Sequence, residues 1–501
     1  MRVLFICPKS GFHVSSSQLP PLGPLALASF LQTRGHTVRI FDHEWEHSLS
    51  KAVGEFKPDA VAITLLAEAM IPDAMQISRT LKALGLLVLW GGHMVSAIPE
   101  EAARSGCVDY VGISEGEYTL LELLEVLEGK RARETVLGIA YVDEDGEYHR
   151  TADRPFADLA DFPPLDYSLI AVERYFSSLP VSIRAFTMAT SKGCPFACTF
   201  CFSPEYHRCQ RRVFPRDVIF QQIKALAENY KVDGILFCDE FFGADKQELK
   251  AFCQGMQDLG LDLTWFTETT IGALSREDME MMHAAGCRML AFGLESGSAE
   301  MRKALHKHYD ASKIDETFQN CRKVGILAHG LFIIGLPDET PEQLRETLRL
   351  YFRVQPDSVG MTFYKPVPGS QLYRTLVEAG RLHAPDTLKA MNHGAMPRHH
   401  MTQNFSRVPD KDLQVIQKFT LWRLVFGKKQ KLAGFVRPSL ILVGTKNLLS
   451  YLRNVGLRGL ARGVWDAVKL FCTVAWYSHA YPAIRKKYDL YAINFGRTEW
   501  E

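Results

Sequence analysis

The chain has 501 residues, 47% hydrophobic and 23% charged, which excludes a disordered protein and predicts two to four globular domains. Its eleven cysteines form no even framework, and the first residues, MRVLFICPKSG, predict a strand rather than a secretory leader, so we expect a cytoplasmic protein with reduced thiols. No apolar run reaches the roughly 18 residues of a membrane-spanning helix.

Between residues 1 and 135, strand and helix patterns alternate five times. Apolar runs such as RVLFIC, DAVAITLL and LLVLWGG precede segments with a helical period, such as YTLLELLEVLEG. This alternation predicts a doubly wound, Rossmann-like parallel sheet, whose ligands bind beyond the carboxyl ends of the strands. The segments expected there are rich in Gly, Ser and short polar residues, which let backbone amides approach a bulky ligand. For each segment, an ordinary loop is the alternative.

The alternation stops between residues 136 and 185, where YVDEDGEYHR resembles a hairpin and LADFPPLDYS a proline-bearing linker. It resumes over residues 186–375 with six βα units, which predict a partial (β/α)6 barrel of the TIM type. In such a barrel the chemistry belongs at the carboxyl ends of the strands. A cysteine-rich loop and the acidic segments CDE and GLESG fall at these ends.

The C-terminal region, residues 376–501, is predicted to be a separate, basic and mainly helical part of the chain. From residue 401 onward there are 17 Lys and Arg against 6 Asp and Glu, a net charge of +11, so residues 1–400 carry −10 within the total of +1. Residues 437–488 interleave apolar and basic side chains at helical spacing. Packing on the rest of the protein is the favoured reading of this pattern, and an interfacial helix on a membrane is the alternative.

The cysteine-rich loop, TSKGCPFACTFC, places Cys194, Cys198 and Cys201 within eight residues, directly after the first barrel strand. Four thiolates would complete a tetrahedral zinc site or a four-iron cluster. Three thiolates therefore leave one metal valence open for a ligand that is not a protein side chain.

The spacing Cys-x3-Cys-x2-Cys, with Phe200 before the last cysteine, resembles the radical S-adenosylmethionine (SAM) superfamily. The resemblance implies that the three thiolates hold a [4Fe-4S] cluster, that SAM chelates the open iron, and that Phe200 shields the cluster. Reductive cleavage of SAM would then give a 5′-deoxyadenosyl radical. Zinc is disfavoured, because the nearby fourth ligand would be Cys209, which lies among basic residues.

Other barrel residues match the positions at which this family binds SAM. Asp239 or Glu240 resembles the acceptor for the SAM amino group, and Glu295 resembles the acid that binds the ribose hydroxyls. Gly335 and Pro337 resemble the fifth-strand segment that packs on the adenine. For each acid, a carboxylate that caps the following helix is the alternative.

The N-terminal sheet resembles the flavodoxin-like cobalamin-binding domain of B12-dependent radical SAM enzymes, through PPLGPLALASFLQTRGH, GGHMVSAIPE and VGISEGEYTLLELL. The resemblance implies a cobalamin domain at residues 1–135, a linker at 136–185 and a radical SAM barrel at 186–375. The implied cobalamin contacts are Ser17, Gln18, Leu65, Glu68, Gly91, Gly92, His93, Glu115, Gly116 and Glu117.

The sequence lacks the Asp-x-His-x-x-Gly motif of cobalamin mutases, which leaves the lower axial ligand of cobalt open. For His93, an ordinary loop histidine is the favoured reading and an axial ligand the alternative. Methylthiotransferases of the same superfamily match less well, because Cys7 and Cys107 do not make up their three further cluster cysteines.

The resemblance implies a C-methyltransferase that moves a methyl group through methylcobalamin to an unactivated carbon, with a second SAM providing the radical. Radical cyclisation, ring contraction or another rearrangement without methyl transfer, for example on a tetrapyrrole or lipid, uses the same parts, and no residue separates them. A non-catalytic cobalamin or iron–sulfur sensor is the third, disfavoured reading.

The family also implies a flavodoxin or ferredoxin as electron donor. If the basic tail is interfacial, the small-molecule substrate is apolar or membrane-associated, and the protein contacts the inner face of the membrane peripherally. RNA is disfavoured as a partner of the tail because no RNA-binding module is recognisable, and no DNA is expected.

Overall fold

The computed structural model describes residues 1–9, 19–179, 182–243, 245–383, 388, 401, 403–426, 476 and 481–490. By the density of their internal contacts, these residues form two compact units. The first comprises Met1–Phe176, Phe186–Val232 and Pro366–Pro397, and the second comprises Ser177–Ala185, Asp233–Lys365 and Arg398–Glu501.

A seven-stranded sheet forms the centre of the first unit. Its order is β2-β1-β3-β4-β5-β6-β7, in which β1 to β5 are parallel and β6 and β7 are antiparallel. The strands are β1 (Arg2–Cys7), β2 (Thr37–Asp42), β3 (Ala60–Thr64), β4 (Leu87–Gly91), β5 (Tyr110–Gly112), β6 (Ile139–Val142) and β7 (Tyr148–Arg150). The order of the parallel strands is that of flavodoxin-like folds, so the predicted doubly wound sheet is confirmed.

The helices that follow these strands largely match the predicted segments. They are α1 (Leu22–Gln32), α2 (Leu49–Phe56), α3 (Ile71–Ala83), α4 (His93–Ala97), α5 (Pro99–Ala103) and α6 (Glu117–Leu127). The core between sheet and helices is apolar, and it buries Trp90, whose indole Nε1 donates to Ser78 at 2.9 Å. The helices α4 and α5 are both short and meet at the non-helical Ile98.

The hairpin in the predicted linker belongs to this sheet. Ala140 and Ile139 of β6 pair antiparallel with Val111 and Gly112 of β5. The open edge of β5 offers unpaired backbone groups, and the returning hairpin satisfies them. The first part of the linker therefore extends the sheet beyond the five predicted strands.

The remaining elements of the first unit carry the cysteine-rich loop and its surroundings. A two-stranded antiparallel ribbon pairs β10 (Ser191–Lys192) with β11 (Arg212–Val213), and the loop lies between the two strands. The helices here are α7 (Ser203–Tyr206), α8 (Arg216–Tyr230) and α14 (Gln371–Glu378).

A second seven-stranded sheet has the order β16-β15-β14-β13-β12-β9-β8, and its six parallel strands confirm the predicted partial barrel. Its strands are β8 (Ser177–Leu179), β9 (Ser182–Met188), β12 (Gly234–Phe237), β13 (Thr264–Thr269), β14 (Cys287–Glu295), β15 (Leu327–Ile334) and β16 (Ser358–Phe363). The first four residues of β9 belong to the second unit.

Three helices of the second unit begin at residues whose side chains cap them. The Asp245 side chain accepts from the Glu248 amide, and Ser275 and Thr340 each form a capping box. The helices are α9 (Lys246–Asp258), α10 (Arg276–Ala284), α11 (Ala299–Ala304), α12 (Lys313–Val324), α13 (Pro341–Val354), α15 (Asp410–Phe426) and α16 (Pro482–Lys487).

The described part of the C-terminal region is mainly helical, as predicted. The buried Asp412 of α15 accepts hydrogen bonds from Lys487 at 2.7 Å and from the Tyr488 hydroxyl at 3.0 Å. Most of the amphipathic stretch 437–488 lies outside the described residues. No described helix combines the length and apolar character that a membrane span requires.

Candidate active site

The cysteine-rich loop connects β10 and β11, the strands of the ribbon in which Lys192 pairs with Arg212. Gly193 begins the loop with a φ of +87°, and a Cβ at this position would lie 2.1 Å from the carbonyl oxygen of Gln210. A glycine is therefore required here, both for its left-handed backbone and for the close approach of the returning chain.

We expect Gly193→Ala to lower the iron bound after anaerobic reconstitution severalfold, because the added methyl forces the two ends of the loop apart. Iron and sulfide content per protein measures this effect. Gly129→Ala is the matched control, since Gly129 also has a positive φ, of +71°, but a Cβ there would meet no atom within 4 Å. Equal iron content in the two variants would contradict the prediction.

Cys194, Cys198 and Cys201 are all partly exposed, as ligands of a bound group must be. The Cys201 amide donates to the Cys198 carbonyl at 3.1 Å, and the Ser203 amide donates to Cys201 Sγ at 3.4 Å. Amide hydrogen bonds to sulfur stabilise thiolates and are among the features that set the potentials of iron–sulfur clusters. The loop therefore fits a cluster held by three thiolates.

Other cysteines differ from these three. Cys253, Cys287 and Cys321 are buried, as expected for small core residues, and burial raises the pKa of each thiol, to about 12 for Cys253 and Cys321. Cys238 is exposed just beyond the end of β12, and Cys209 is exposed on the loop itself.

Tyr206 attaches the loop to the carboxyl ends of β4 and β5. Its ring stacks on His93 with centroids 4.0 Å apart, and its hydroxyl donates to the Ser114 carbonyl at 2.8 Å. Burial, assisted by the nearby positive charge of Lys192, lowers the pKa of His93 to about 4, so its imidazole is neutral at physiological pH. The cysteine-rich loop and the predicted cobalamin loops therefore lie side by side.

Phe202 anchors another side of the loop. A Cβ on Gly369 would lie 2.4 Å from the Phe202 ring, and the Leu372 amide donates to the Thr199 carbonyl at 2.8 Å. Sequence reasoning singled out Phe200 and missed both Phe202 and Tyr206. The aromatic residues at 200, 202 and 206 look alike in sequence, and their partners are distant along the chain.

The loops after β3 and β4 are joined through their backbones. Gly92 has a φ of +106°, and a Cβ there would lie 2.7 Å from the Leu65 carbonyl oxygen, which accepts from the Met94 amide. Leu65 itself is buried, whereas the large apolar side chains of Leu66 and Leu19 are both more than half exposed. An exposed apolar surface beside a closely approaching backbone fits a large, partly apolar ligand such as cobalamin.

The other predicted cobalamin residues are placed as follows. Gly91 ends β4, Glu68 begins a short helical turn after β3, and Gly116 immediately precedes α6. The carboxylates of Glu115 and Glu117 point to the ribbon, where they contact Lys192 and Arg212. Ser17 and Gln18 lie outside the described residues.

In the second unit, the predicted SAM residues lie at or just beyond the carboxyl ends of their strands. Asp239 is buried and Glu240 is exposed two to three residues after β12. Glu295 ends β14 with a φ of +58°, and its carboxylate contacts Lys307 at 3.0 Å. A Cβ on Gly293 would clash with both members of this pair, at 2.4 Å and 2.7 Å. The glycine therefore makes room for the buried ion pair.

Gly335 and Pro337 form the turn after β15. Gly335 has a φ of +75°, and its amide donates to Glu339 Oε2 at 2.7 Å. Glu339 is fully buried, its other carboxyl oxygen has no hydrogen-bond partner among the described residues, and burial raises its pKa to about 8. A protonated Glu339 thus holds the turn that is predicted to face the adenine, and sequence reasoning missed this residue.

We expect Glu339→Gln to be tolerated at neutral pH, because the wild-type side chain is neutral there. Between pH 4.5, the ordinary pKa of this carboxyl group, and about pH 8, Glu339 is protonated in the native state but ionised in the unfolded chain. The free energy of unfolding of the wild-type protein therefore falls as the pH rises through this window. Melting temperatures at pH 5.5, 7.0 and 8.5 should therefore fall more steeply for wild type than for Glu339→Gln. Parallel curves would contradict the prediction, and Asp338→Asn, at an exposed neighbour, is the control.

Comparisons with known proteins agree with this geometry. A family model for the radical SAM superfamily matches residues 188–351, and a model for the B12 binding domain matches residues 9–124. Over 385 residues the chain is 29% identical to an uncharacterised methyltransferase from Pyrococcus horikoshii, covering 74% of this chain and 82% of that protein. Over 391 residues it is 27% identical to the anaerobic magnesium-protoporphyrin IX monomethyl ester cyclase from Rubrivivax gelatinosus, with coverages of 75% and 70%.

A solved structure has the same fold. It is that of the radical SAM methyltransferase TsrM from Kitasatospora setae with cobalamin and a [4Fe-4S] cluster bound. The TM-score is 0.64 at 18% sequence identity, with 77% of this chain and 76% of that chain covered.

A six-stranded partial barrel with a three-cysteine loop after its first strand defines a radical SAM protein. Because a match to the B12 binding domain precedes this barrel, the chain combines the two domains that the sequence predicted. The resemblance inferred from the sequence is confirmed.

Proposed function

We propose that this protein is a cobalamin-dependent radical SAM C-methyltransferase that acts on an unactivated carbon of a small molecule. The observation that carries the proposal is the position of the three-cysteine loop, which Tyr206 attaches to His93 and Ser114 at the carboxyl end of the first sheet. A radical generated at the loop and a methyl carrier bound at the sheet would then share one neighbourhood, as methyl transfer to a carbon radical requires.

Each set of residues has a separate task. Cys194, Cys198 and Cys201 would hold the cluster, and when bound, the cluster supplies the electron that cleaves SAM while cobalamin supplies the carrier for the methyl group. Asp239 or Glu240 would accept from the SAM ammonium, and Glu295 from its ribose hydroxyls. The Gly335 turn, held by Glu339, would pack on the adenine.

The cobalamin site is proposed on the loops after the parallel strands of the first sheet. Gly91, Gly92 and Leu65 would contribute backbone, while the exposed Leu19 and Leu66 would cover apolar parts of the ligand. The carboxylates of Glu115 and Glu117 contact Lys192 and Arg212 of the ribbon. Their segment would therefore contact cobalamin through Gly116 and the adjacent backbone. Stacking on Tyr206 favours His93 as a loop-packing residue over an axial ligand.

Ring closure without methyl transfer is the second candidate function. Similarity to the anaerobic magnesium-protoporphyrin IX monomethyl ester cyclase supports it, because that relative is named for a cyclisation and is almost as similar as the named methyltransferase. Both functions share the radical step and differ only in the fate of the substrate radical.

The substrate is proposed to be apolar or membrane-associated, on the basis of the basic tail with its net charge of +11 over residues 401–501. A flavodoxin or ferredoxin would supply the electron. Flotation with liposomes that contain anionic lipid tests the membrane contact. The full chain should float, and equal flotation of a variant in which the Lys and Arg of residues 437–463 are replaced by Gln would contradict it.

Anaerobic turnover with methyl-labelled SAM tests the proposed function. Reconstituted protein with hydroxocobalamin and reductant would be added to an extract from a strain that lacks the gene. Label in a new small molecule supports methyl transfer, whereas 5′-deoxyadenosine with no transferred label supports ring closure. Absence of both products would contradict the two functions together.

A further inference from the structure

Four charged side chains join the ribbon of the cysteine-rich loop to the loop after β5. Glu117 accepts from Lys192 at 2.9 Å, Glu115 lies 3.8 Å from Lys192, and both oxygens of Glu115 contact the Arg212 guanidinium. We name this group, Glu115, Glu117, Lys192 and Arg212, the charge clamp. Its partners are separated by 75 and 97 residues along the chain.

The charge clamp is largely shielded from water. Glu117 is 6% exposed, and the Lys192 and Arg212 side chains are 22% and 18% exposed. The segment after β7 covers it, because the Phe162 ring lies 5.1 Å from Lys192 Nζ and the Phe156 ring lies 4.2 Å from the Arg212 guanidinium. Two positive and two negative charges balance within the cluster, so removal of any one of them leaves an uncompensated charge in a poorly solvated place.

The charge clamp lies at the base of the cysteine-rich loop. Lys192 and Arg212 are paired residues of the ribbon, directly at the two ends of the loop that carries Cys194, Cys198 and Cys201. Glu115 and Glu117 flank Gly116 at the start of α6, in the segment predicted to contact cobalamin. One cluster therefore ties the base of the cysteine-rich loop to a predicted cobalamin loop.

We propose that Lys192 and Glu117 are positioning residues that fix the cysteine-rich loop against the carboxyl end of the first sheet, so that radical formation stays coupled to methyl transfer. This inference rests on the proposed function. Neither residue touches the reacting atoms in this account. Loosening the clamp would let SAM be cleaved without productive transfer of the methyl group.

The experiment compares Lys192→Met with Lys82→Met in the full-length, reconstituted protein. Lys82 is a matched control, because it forms a 2.6 Å ion pair with Asp109 elsewhere in the same unit. Hydrogen exchange of residues 193–211 is the first readout, and it does not depend on turnover. The second is the ratio of 5′-deoxyadenosine to transferred methyl label, measured in the same extract as above.

We expect faster exchange in the loop and at least a fivefold higher ratio for Lys192→Met, with no change for Lys82→Met. Lys192→Arg should restore both readouts partly, and Glu117→Gln/Lys192→Met should be less impaired than Lys192→Met alone. If Lys192→Met fails to fold, Glu117→Gln, which removes one charge of the same pair, is compared with Lys192→Arg, which keeps the charge. Unchanged exchange and an unchanged ratio would overturn the inference.

Failure of the proposed function and failure of the inference about the charge clamp would give different results. A wild-type protein that forms no 5′-deoxyadenosine would refute the proposed function, whereas the exchange measurement would still report on the clamp. A wild-type protein that transfers label, with Lys192→Met indistinguishable from wild type in both readouts, would refute the clamp alone.

Discussion

Cys198→Ser is expected to reduce 5′-deoxyadenosine formation to the background rate and to prevent assembly of a stable four-iron cluster. With two thiolates left on the loop, the cluster would lose one of its three protein ligands, and the hydroxyl of serine is a harder and weaker ligand for iron. Iron and sulfide content, together with chromatography of the SAM products under anaerobic conditions, measures both effects.

Cys209→Ser is the control for this variant. Cys209 lies on the same loop but is exposed, and its backbone has a φ of +53°. It should bind as much iron and cleave SAM as fast as wild type. If Cys209→Ser lost the cluster and Cys198→Ser retained it, the assignment of the three cysteines would be wrong.

Lys307→Met is expected to destabilise the second unit by about 3–5 kcal/mol and to weaken SAM binding roughly tenfold. Glu295 is 7% exposed and its carboxylate contacts Lys307 at 3.0 Å, so the variant leaves a buried carboxylate without its positive partner. The carboxylate would then rotate away from its present position, and it would no longer present the same acceptor to a ribose. Thermal unfolding and equilibrium dialysis with SAM provide the two measurements.

Lys313→Met is the control that separates the effects of Lys307→Met on stability and SAM binding from those of losing any ion pair. Lys313 contacts Glu316 at 2.8 Å, but both side chains are half exposed, and such pairs contribute at most about 1 kcal/mol. The control should keep both its stability and its affinity for SAM. A Lys307→Met protein that behaves like this control would show that the pair at Glu295 has no role in binding.

The sequence was most informative where a local pattern determines the structure. Alternating apolar runs and helical periods predicted the parallel strands and most helices, and the predicted helical segment YTLLELLEVLEG largely coincides with α6. The hairpin formed by β6 and β7 was recognised, but its pairing with β5 was not, because an open sheet edge cannot be seen in the sequence of the hairpin.

The arrangement of side chains at the site was less predictable. Glu115 and Glu117 were predicted from their loop position as ligand residues, yet their carboxylates contact Lys192 and Arg212. Tyr206 and Glu339 were missed for a related reason: their roles depend on stacking with a residue more than 100 positions away and on complete burial. Contacts of this kind follow from tertiary packing and leave no periodic signal in the sequence.

Electron paramagnetic resonance of the reduced, reconstituted protein tests whether the three cysteines hold a four-iron cluster to which SAM binds. A cluster held by Cys194, Cys198 and Cys201 has one open iron, so the account predicts a [4Fe-4S]⁺ signal whose g values shift when SAM is added. Cys198→Ser should show no [4Fe-4S]⁺ signal, whereas Cys209→Ser should show both the signal and its shift. A protein that binds zinc in place of iron, or a cluster signal that SAM leaves unchanged, would contradict the account.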